Sequence, residues 1–261
     1  MGAVGFALGT TSGGTGAAAF VPTDISGCML WLKADSLTLN DADPISTWTD
    51  SSGNSNTATS TLTTRPLYKT AILNSLPVVR CDGSNDFMTV TRNAGLEPNN
   101  VTLFAVVKAG SNPAAFSYML SKKLTSGSSA SYSMGVDGSS RGRGLFKVAT
   151  TGEVVTTFIP TAIIWDNFAH IHCIKADGSL LKHWLNGSAQ FTNSAGSATN
   201  NTSTAVGNIT YDSNDLLIGA YDSGSLFWAG DIGEILIYNT ALSDANRWSV
   251  QGYLGNKWAV P

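Results

Sequence analysis

The residues best able to do chemistry in this chain are few, and its three histidines are the densest group: His170, His172 and His183. Asp177-Gly178 stands between two apolar runs, the pattern of a two-residue hairpin turn. If Ala176 pairs with Ser179, His172 lies opposite His183, and His170 follows two residues along on the same face, because strand side chains alternate with a period of two. Three imidazoles gathered in that way could hold zinc, with a fourth position open to water. However, Ile174, Leu181 and Leu185 share the face, and no neighbouring Asp or Glu in the sequence orients the rings. The expectation is therefore a close group of neutral, metal-free histidines on the inner side of a sheet, with stability falling on acidification.

The carboxylates offer less. Asp82-Gly83-Ser84-Asn85-Asp86 brings two acids into one turn, and with Asp50 they are the candidate calcium ligands. Asp-Gly and Ser-Asn are also good turn formers in their own right, and the spacing of a twelve-residue calcium loop is missing. The glutamates are Glu97, Glu153 and Glu234. Glycoside hydrolysis needs two carboxyl groups about 5–9 Å apart, which a strand supplies from alternate residues; Asp231 is three positions from Glu234 and so points to the other face. Glu234 is read as a strand residue bonding a nearby loop. No serine–histidine or cysteine–histidine dyad follows from spacing, and Gly142, Gly144 and Gly152 form no phosphate loop before a helix. No catalytic, cofactor or metal residue is assigned, and no enzyme is expected. Of the tryptophans, Trp165, Trp184 and Trp228 could stack on sugar rings, whereas Trp31, Trp48 and Trp258 read as structural.

The elements that must carry these residues read as short strands. Runs at 29–34, 77–81, 86–91, 101–109, 116–122, 131–137, 143–149, 153–159, 168–175, 180–186, 215–220 and 227–238 are separated by turn formers, the spacing of an all-β sandwich. Stretches 50–64 and 192–214 are rich in Ser, Thr and Asn and read as surface loops. Ser243-Asp244 is an N-cap signal, and Val250, Leu254 and Trp258 form an apolar stripe on the helix that follows, with Arg247 and Lys257 expected to reach water. Residues 1–22 are Gly-, Ala- and Thr-rich with too few apolar anchors to bury a core. They are read as an N-terminal arm preceding one domain over 23–261.

Composition narrows the partners. Charged residues make up 13% of the chain, against about 25% in typical soluble domains. Fifteen basic and eighteen acidic residues give a net charge of −3 without a basic run, which argues against nucleic acid. No apolar run is long enough to span a bilayer, and the first residues lack the pattern of a secretory signal. Cys28, Cys81 and Cys173 are odd in number and far apart, and read as buried thiols.

Three segments carry a resemblance. Phe227 to Asn239 with the helix ending at Trp258 is one, Leu30-Trp31-Leu32-Lys33-Ala34-Asp35 with Trp48-Thr49-Asp50-Ser51-Ser52-Gly53-Asn54 is the second, and Arg65-Pro66 with Leu76 to Phe87 is the third. Over residues 25–258 the chain resembles the laminin-G-like branch of the concanavalin A-like lectin/glucanase superfamily, of the kind found in tailed-phage and prophage virion proteins. The resemblance implies a jelly-roll sandwich of two antiparallel sheets with one short C-terminal helix. Glucanases of that superfamily carry a Glu-x-Asp-x-Glu type strand, which this chain lacks. The function expected is a non-enzymatic virion surface protein, a capsid decoration or tail-associated module. It would be anchored by its arm to other virion proteins, homo-oligomeric, made in the host cytoplasm and located in the virion. The alternative is a glycan-binding adhesin that recognises a host surface glycan.

Overall fold

The computed structural model describes residues 19–110, 116–123, 130–136, 142–147, 154–158, 166–178, 181–192 and 208–261. Among them the strands, in chain order, are β1 (Cys28–Lys33), β2 (Thr47–Trp48), β3 (Ala58–Thr59), β4 (Leu67–Leu73), β5 (Leu76–Asp82), β6 (Met88–Val90), β7 (Val101–Ala109), β8 (Ser117–Lys123), β9 (Ala130–Val136), β10 (Gly142–Lys147), β11 (Val154–Phe158), β12 (Ala169–Ala176), β13 (Leu181–Leu185), β14 (Ser188–Thr192), β15 (Leu216–Ile218) and β16 (Ala229–Tyr238). They form two antiparallel sheets. One runs β14-β13-β12-β7-β16-β5-β4 with β1 also on β16, and the other β11-β10-β9-β8-β15-β6-β3-β2.

The first sheet is organised by β16, whose β-branched and aromatic run suits a strand buried on both faces. Along its whole length β16 pairs with β7. On its other flank it changes partner: Ala229–Ile232 meet β5, and Glu234–Tyr238 meet β1. The change falls at a bulge between Ile232 and Glu234. Gly233, in that bulge, faces the ring of Trp258, and a Cβ there would lie 3.0 Å from ring carbons. Ile232, Ile235, Leu236, Ile237 and Tyr238 are fully buried.

The helix α1 (Asp244–Trp258) packs against this sheet, over β12 and the bulge at Gly233. Ser243 Oγ accepts the Asn246 N–H at 3.2 Å, closing the N-terminus as the sequence indicates. Val250, Leu254 and Trp258 are buried, so the apolar stripe is the contact face. Arg247 differs from expectation, because it is buried with them. Its guanidinium lies 4.5 Å from the ring centres of both Trp184 and Trp248, a stacking that lets a planar cation leave water. Lys257 is also largely withdrawn from water by the carboxylates described below. At the entry of the described chain, Phe20 meets Tyr253 edge-on, and the Tyr238 hydroxyl donates to the Pro22 carbonyl at 2.9 Å. Residues 1–18 lie outside the described set.

The β12–β13 pairing corrects the expected register. Ala176 pairs with Leu181, Ile174 with His183 and His172 with Leu185, two positions away from the register that a two-residue turn at Asp177-Gly178 requires. The tight turn comes next, at Asn186-Gly187 between Leu185 and Ser188, where φ is 50° and 81°. Two successive positive φ values are the mirror-type turn that Asn-Gly favours.

Candidate functional site

Among the described residues, α1 packs on the first sheet, against β12. Leu216, Ile218, Met88 and Val90 point into the core, so Leu217 and Thr89 between them point outward. With Phe87, Lys123, Asn214, Asp215, Asp222 and Ser223 they line a cleft of about 410 Å³. Lys123 Nζ is 3.0 Å from Asp222 Oδ2. Burial pushes the Asp222 carboxyl up, but Lys123, the Gly224 N–H and the Ser225 hydroxyl outweigh it and hold the group below the ordinary carboxylate range. Asp215 accepts the Arg92 N–H at 2.7 Å, and the Asn214 amide donates to the Lys123 carbonyl at 2.9 Å. An apolar floor thus carries anchored polar groups of both signs.

The face continues from the cleft over β8 and β9. Ser121 lies opposite Leu217 on one side and opposite Ser133 on the other. Ser121, Ser131 and Ser133 are buried, and none of their hydroxyls has a hydrogen-bond partner. Beside them Tyr118 and Tyr221 pack with tilted rings, 4.5 Å between centres, apart from the main core. Arg143 donates to the Tyr118 hydroxyl and covers Phe116 at 4.5 Å. Gly135 makes the tyrosine's position possible, since a Cβ there would strike the Ser117 carbonyl and the Tyr118 ring. Burial pushes both phenols up, so they stay neutral hydrogen-bonding groups.

The residues singled out by sequence fall elsewhere. His172 and His183 lie side by side on the inner face of the first sheet, Nδ1 to Nε2 at 3.3 Å, fully buried. Burial lowers His172 well below its usual range and His183 to about 3, and the like charge of His183 adds to the effect on His172. His170 turns instead to Asp166, with Nε2 at 2.9 Å from Oδ1, so a carboxylate four residues earlier does orient one of the rings. Among the described residues no three His, Cys, Asp or Glu side chains are arranged to share a metal ion.

Glu234 bonds no loop. It accepts from the Trp31 indole, from Trp258 Nε1 at 2.8 Å and from Lys257 Nζ at 2.8 Å, while Lys257 also reaches Asp35 at 2.8 Å. It is the buried pin between β1, β16 and α1. Glu97 is held by Arg92 and Lys122, at 2.7 and 3.1 Å, and Glu153 lies outside the described residues. Asp50 spends its oxygens on Trp31 N, Ser52 N, Ser52 Oγ and Asn56 N. Asp82 caps Ser84 and Asn85, and Asp86 accepts from Asp82 N; burial and the Asp82 charge raise Asp86 to about 6. Trp228 and Trp184 are buried, and Trp165 lies outside the described residues. The tryptophan that is exposed is Trp248.

Sequence reasoning missed the cleft because its lining comes from strands and loops far apart in the chain. One local signal was present: in Ser131-Tyr132-Ser133-Met134-Gly135, small residues alternate with large buried ones, which marks one face of a strand kept low.

Two antiparallel sheets, a closing helix and an open polar cleft on one sheet define a lectin-type jelly-roll sandwich. A family model described as the concanavalin A-like lectin/glucanases superfamily matches residues 82–246, more than half of the chain, and the chain belongs to that superfamily. No curated protein matches the sequence. Among solved structures, the binding domain of Paraclostridial Mosquitocidal Protein 1 is similar with a TM-score of 0.64 at 10% identity, covering 90% of this chain and 54% of that one. Trypanosoma rangeli sialidase in complex with sialic acid gives 0.59 at 18% identity over 93% of this chain and 34% of that one. The CBM40 of Ruminococcus gnavus IT-sialidase, bound to alpha2,3 sialyllactose, gives 0.52 at 14% identity over 67% and 95%. The chain therefore spans about half the length of the first of these and a third of the sialidase. At these identities the likeness is one of fold.

Proposed function

We propose that this protein is a carbohydrate-recognition domain that presents the cleft over β6 and β15 of its second sheet to a glycan. The observation that carries this is the cleft: Leu217 and Phe87 offer apolar contact, while Lys123, Asp222, Asp215, Asn214, Thr89 and Ser223 offer donors and acceptors. A sugar ring presents the same mixture, a C–H face rimmed by hydroxyls, and sites for small polar ligands combine an apolar floor with a few fixed polar groups. The fold shared with a sialyllactose-bound module supports the reading. A glycan array probed with the purified chain tests it. Lys123→Ala and Asp222→Ala, at a partly exposed ion pair of the cleft wall, should each weaken the strongest array signal about tenfold or more while leaving the thermal midpoint near that of the parent. A silent array, or undiminished binding by both variants, would sink the proposal.

The domain acts without hydrolysis in this reading. Support comes from Glu234 and Glu97, both committed to structural partners. Purified protein should release no reducing ends from the glycans it binds, and turnover abolished by Glu234→Gln would overturn that view. The setting proposed from the sequence resemblance is a tailed-phage virion, with residues 1–22 as the arm joining this domain to other virion proteins in a homo-oligomeric arrangement. The anchoring of Phe20 and Pro22 on Tyr253 and Tyr238 supports an arm that transmits load to the sandwich. Locating the domain in a particle reconstruction tests the setting.

A further inference from the structure

A second concavity crosses the solvent side of α1, on the opposite side of the sandwich from the cleft. Trp248, Gly252 and Asn256 succeed one another at intervals of four along the helix. They are shared by two adjoining hollows, one of about 470 Å³ bounded by Asn186, Gln251 and Val260, the other of about 620 Å³ bounded by Phe20, Tyr253 and Ser249. Trp248 is 54% exposed, which is unusual for the largest apolar side chain. It is nevertheless held in place. Arg247 stacks at 4.5 Å, and the ring edge fits against Gly187, where a Cβ would come within 2.8 Å. Nothing lies within 4 Å of where a Gly252 side chain would begin, so the floor beside the indole is open.

One polar group in this trough is unsatisfied. Gln251 is 6% exposed and its Oε1 has no hydrogen-bond partner. A buried acceptor without a donor costs free energy that a bound donor would recover. Gln251 lines the trough, and the terminal amide torsion of glutamine is broad, so rotation about it can present the oxygen to a ligand there. The charge nearby is already committed: Lys257 is shared between Glu234 and Asp35. Arg247, the other cation, is buried against the Trp184 and Trp248 rings and does not line the trough, so an aromatic face, neutral amides and a donor-seeking carbonyl select a ligand that is itself neutral, with a flat C–H face and hydroxyl or amide N–H donors. We infer that the trough over α1 is a second binding site, for a neutral pyranose ring, with Trp248 as the stacking platform and Gln251 as the acceptor. The inference is independent of the cleft and survives if the cleft binds nothing.

The test uses the full chain labelled with nitrogen-15, its indole N–H signals assigned by Trp248→Phe, and titration with cellohexaose, maltohexaose, xylohexaose and chitohexaose. At least one sugar should shift the Trp248 signal while leaving the signals of buried Trp48 and Trp258 in place. Trp248→Ala should weaken that sugar's binding about tenfold or more. Gln251→Leu separates a binding role from a structural one. It removes the unpaired carbonyl, so the thermal midpoint should hold or rise while affinity falls. If no sugar moves Trp248, or if Gln251→Leu binds as the parent does, the inference is wrong. If the Trp248 signal moves only on dilution of the protein, the trough is instead a contact between copies, which also overturns it.

Discussion

His172 and His183 make the chain sensitive to acid, and the sign follows from their environment. Both are neutral in the folded state, with His183 lowered to about 3 from an ordinary 6.5. Unfolding releases each ring to take up a proton below about pH 6.5, so the unfolded state binds more protons there and stability falls as pH drops. Each ring contributes a slope of up to about 1.4 kcal/mol per pH unit, and the loss levels off only as the folded state itself begins to protonate near pH 3. Asp86 works the other way. Raised to about 6, it takes its proton in the folded state first and stabilises as pH falls towards the ordinary carboxylate value. One group opposes two, so a net loss is expected. Urea midpoints measured at neutral pH and near pH 5 should show it, and His183→Leu should flatten the profile; an unchanged midpoint for the parent would refute the neutral pair. Sequence alone supplied the histidines' face but not their pairing. Asp177-Gly178 is a good turn, yet the ladder between β12 and β7 and the Asn186-Gly187 turn decide the register, and neither is local to it.

At the scale of the element, α1 is fastened by a few contacts that can be tested singly. Trp258 is buried, fills the space left by Gly233 and donates to Glu234. Trp258→Ala should cost at least about 3 kcal/mol, since it removes a large aromatic and one donor of a buried carboxylate together. Denaturant melts of the variant check this, and a change below about 0.5 kcal/mol would place the side chain outside the core. The helix ends at Ala259 in a left-handed conformation with φ 53°. Only glycine adopts that shape freely, so Ala259→Gly should raise stability by up to about 1 kcal/mol, read from the same melts. The apolar stripe and the Ser243 cap were legible because a helix repeats over a few residues. The burial of Arg247 was not, because half of its aromatic sandwich is Trp184, on a strand distant in sequence.

Across the whole molecule, the sandwich was legible in the alternation of short strands, and twelve of the expected runs coincide with strands of the two sheets. The expected set lacked β2 and β3, each two residues long, β4, whose burial does not alternate, and β14, which follows the Asn-Gly turn. The cleft was beyond local pattern, since it is assembled from segments that only the finished topology brings together, whereas the trough lies mostly along one helix and only its walls, Phe20 and Asn186, come from elsewhere. That topology also sets an order of events during synthesis. The strand that joins β1, β5 and β7 into one sheet is β16, which is the last strand made. At roughly 5–20 residues per second, β7 leaves the ribosome on the order of ten seconds before its central partner exists. During that interval a strand buried along almost its whole length in the finished domain has an unpaired edge. Nascent chains halted before Ala229 should therefore stay protease-sensitive and prone to cross-pairing, so the segment from Ala229 onward, rather than the strands made first, governs how safely this sandwich is made.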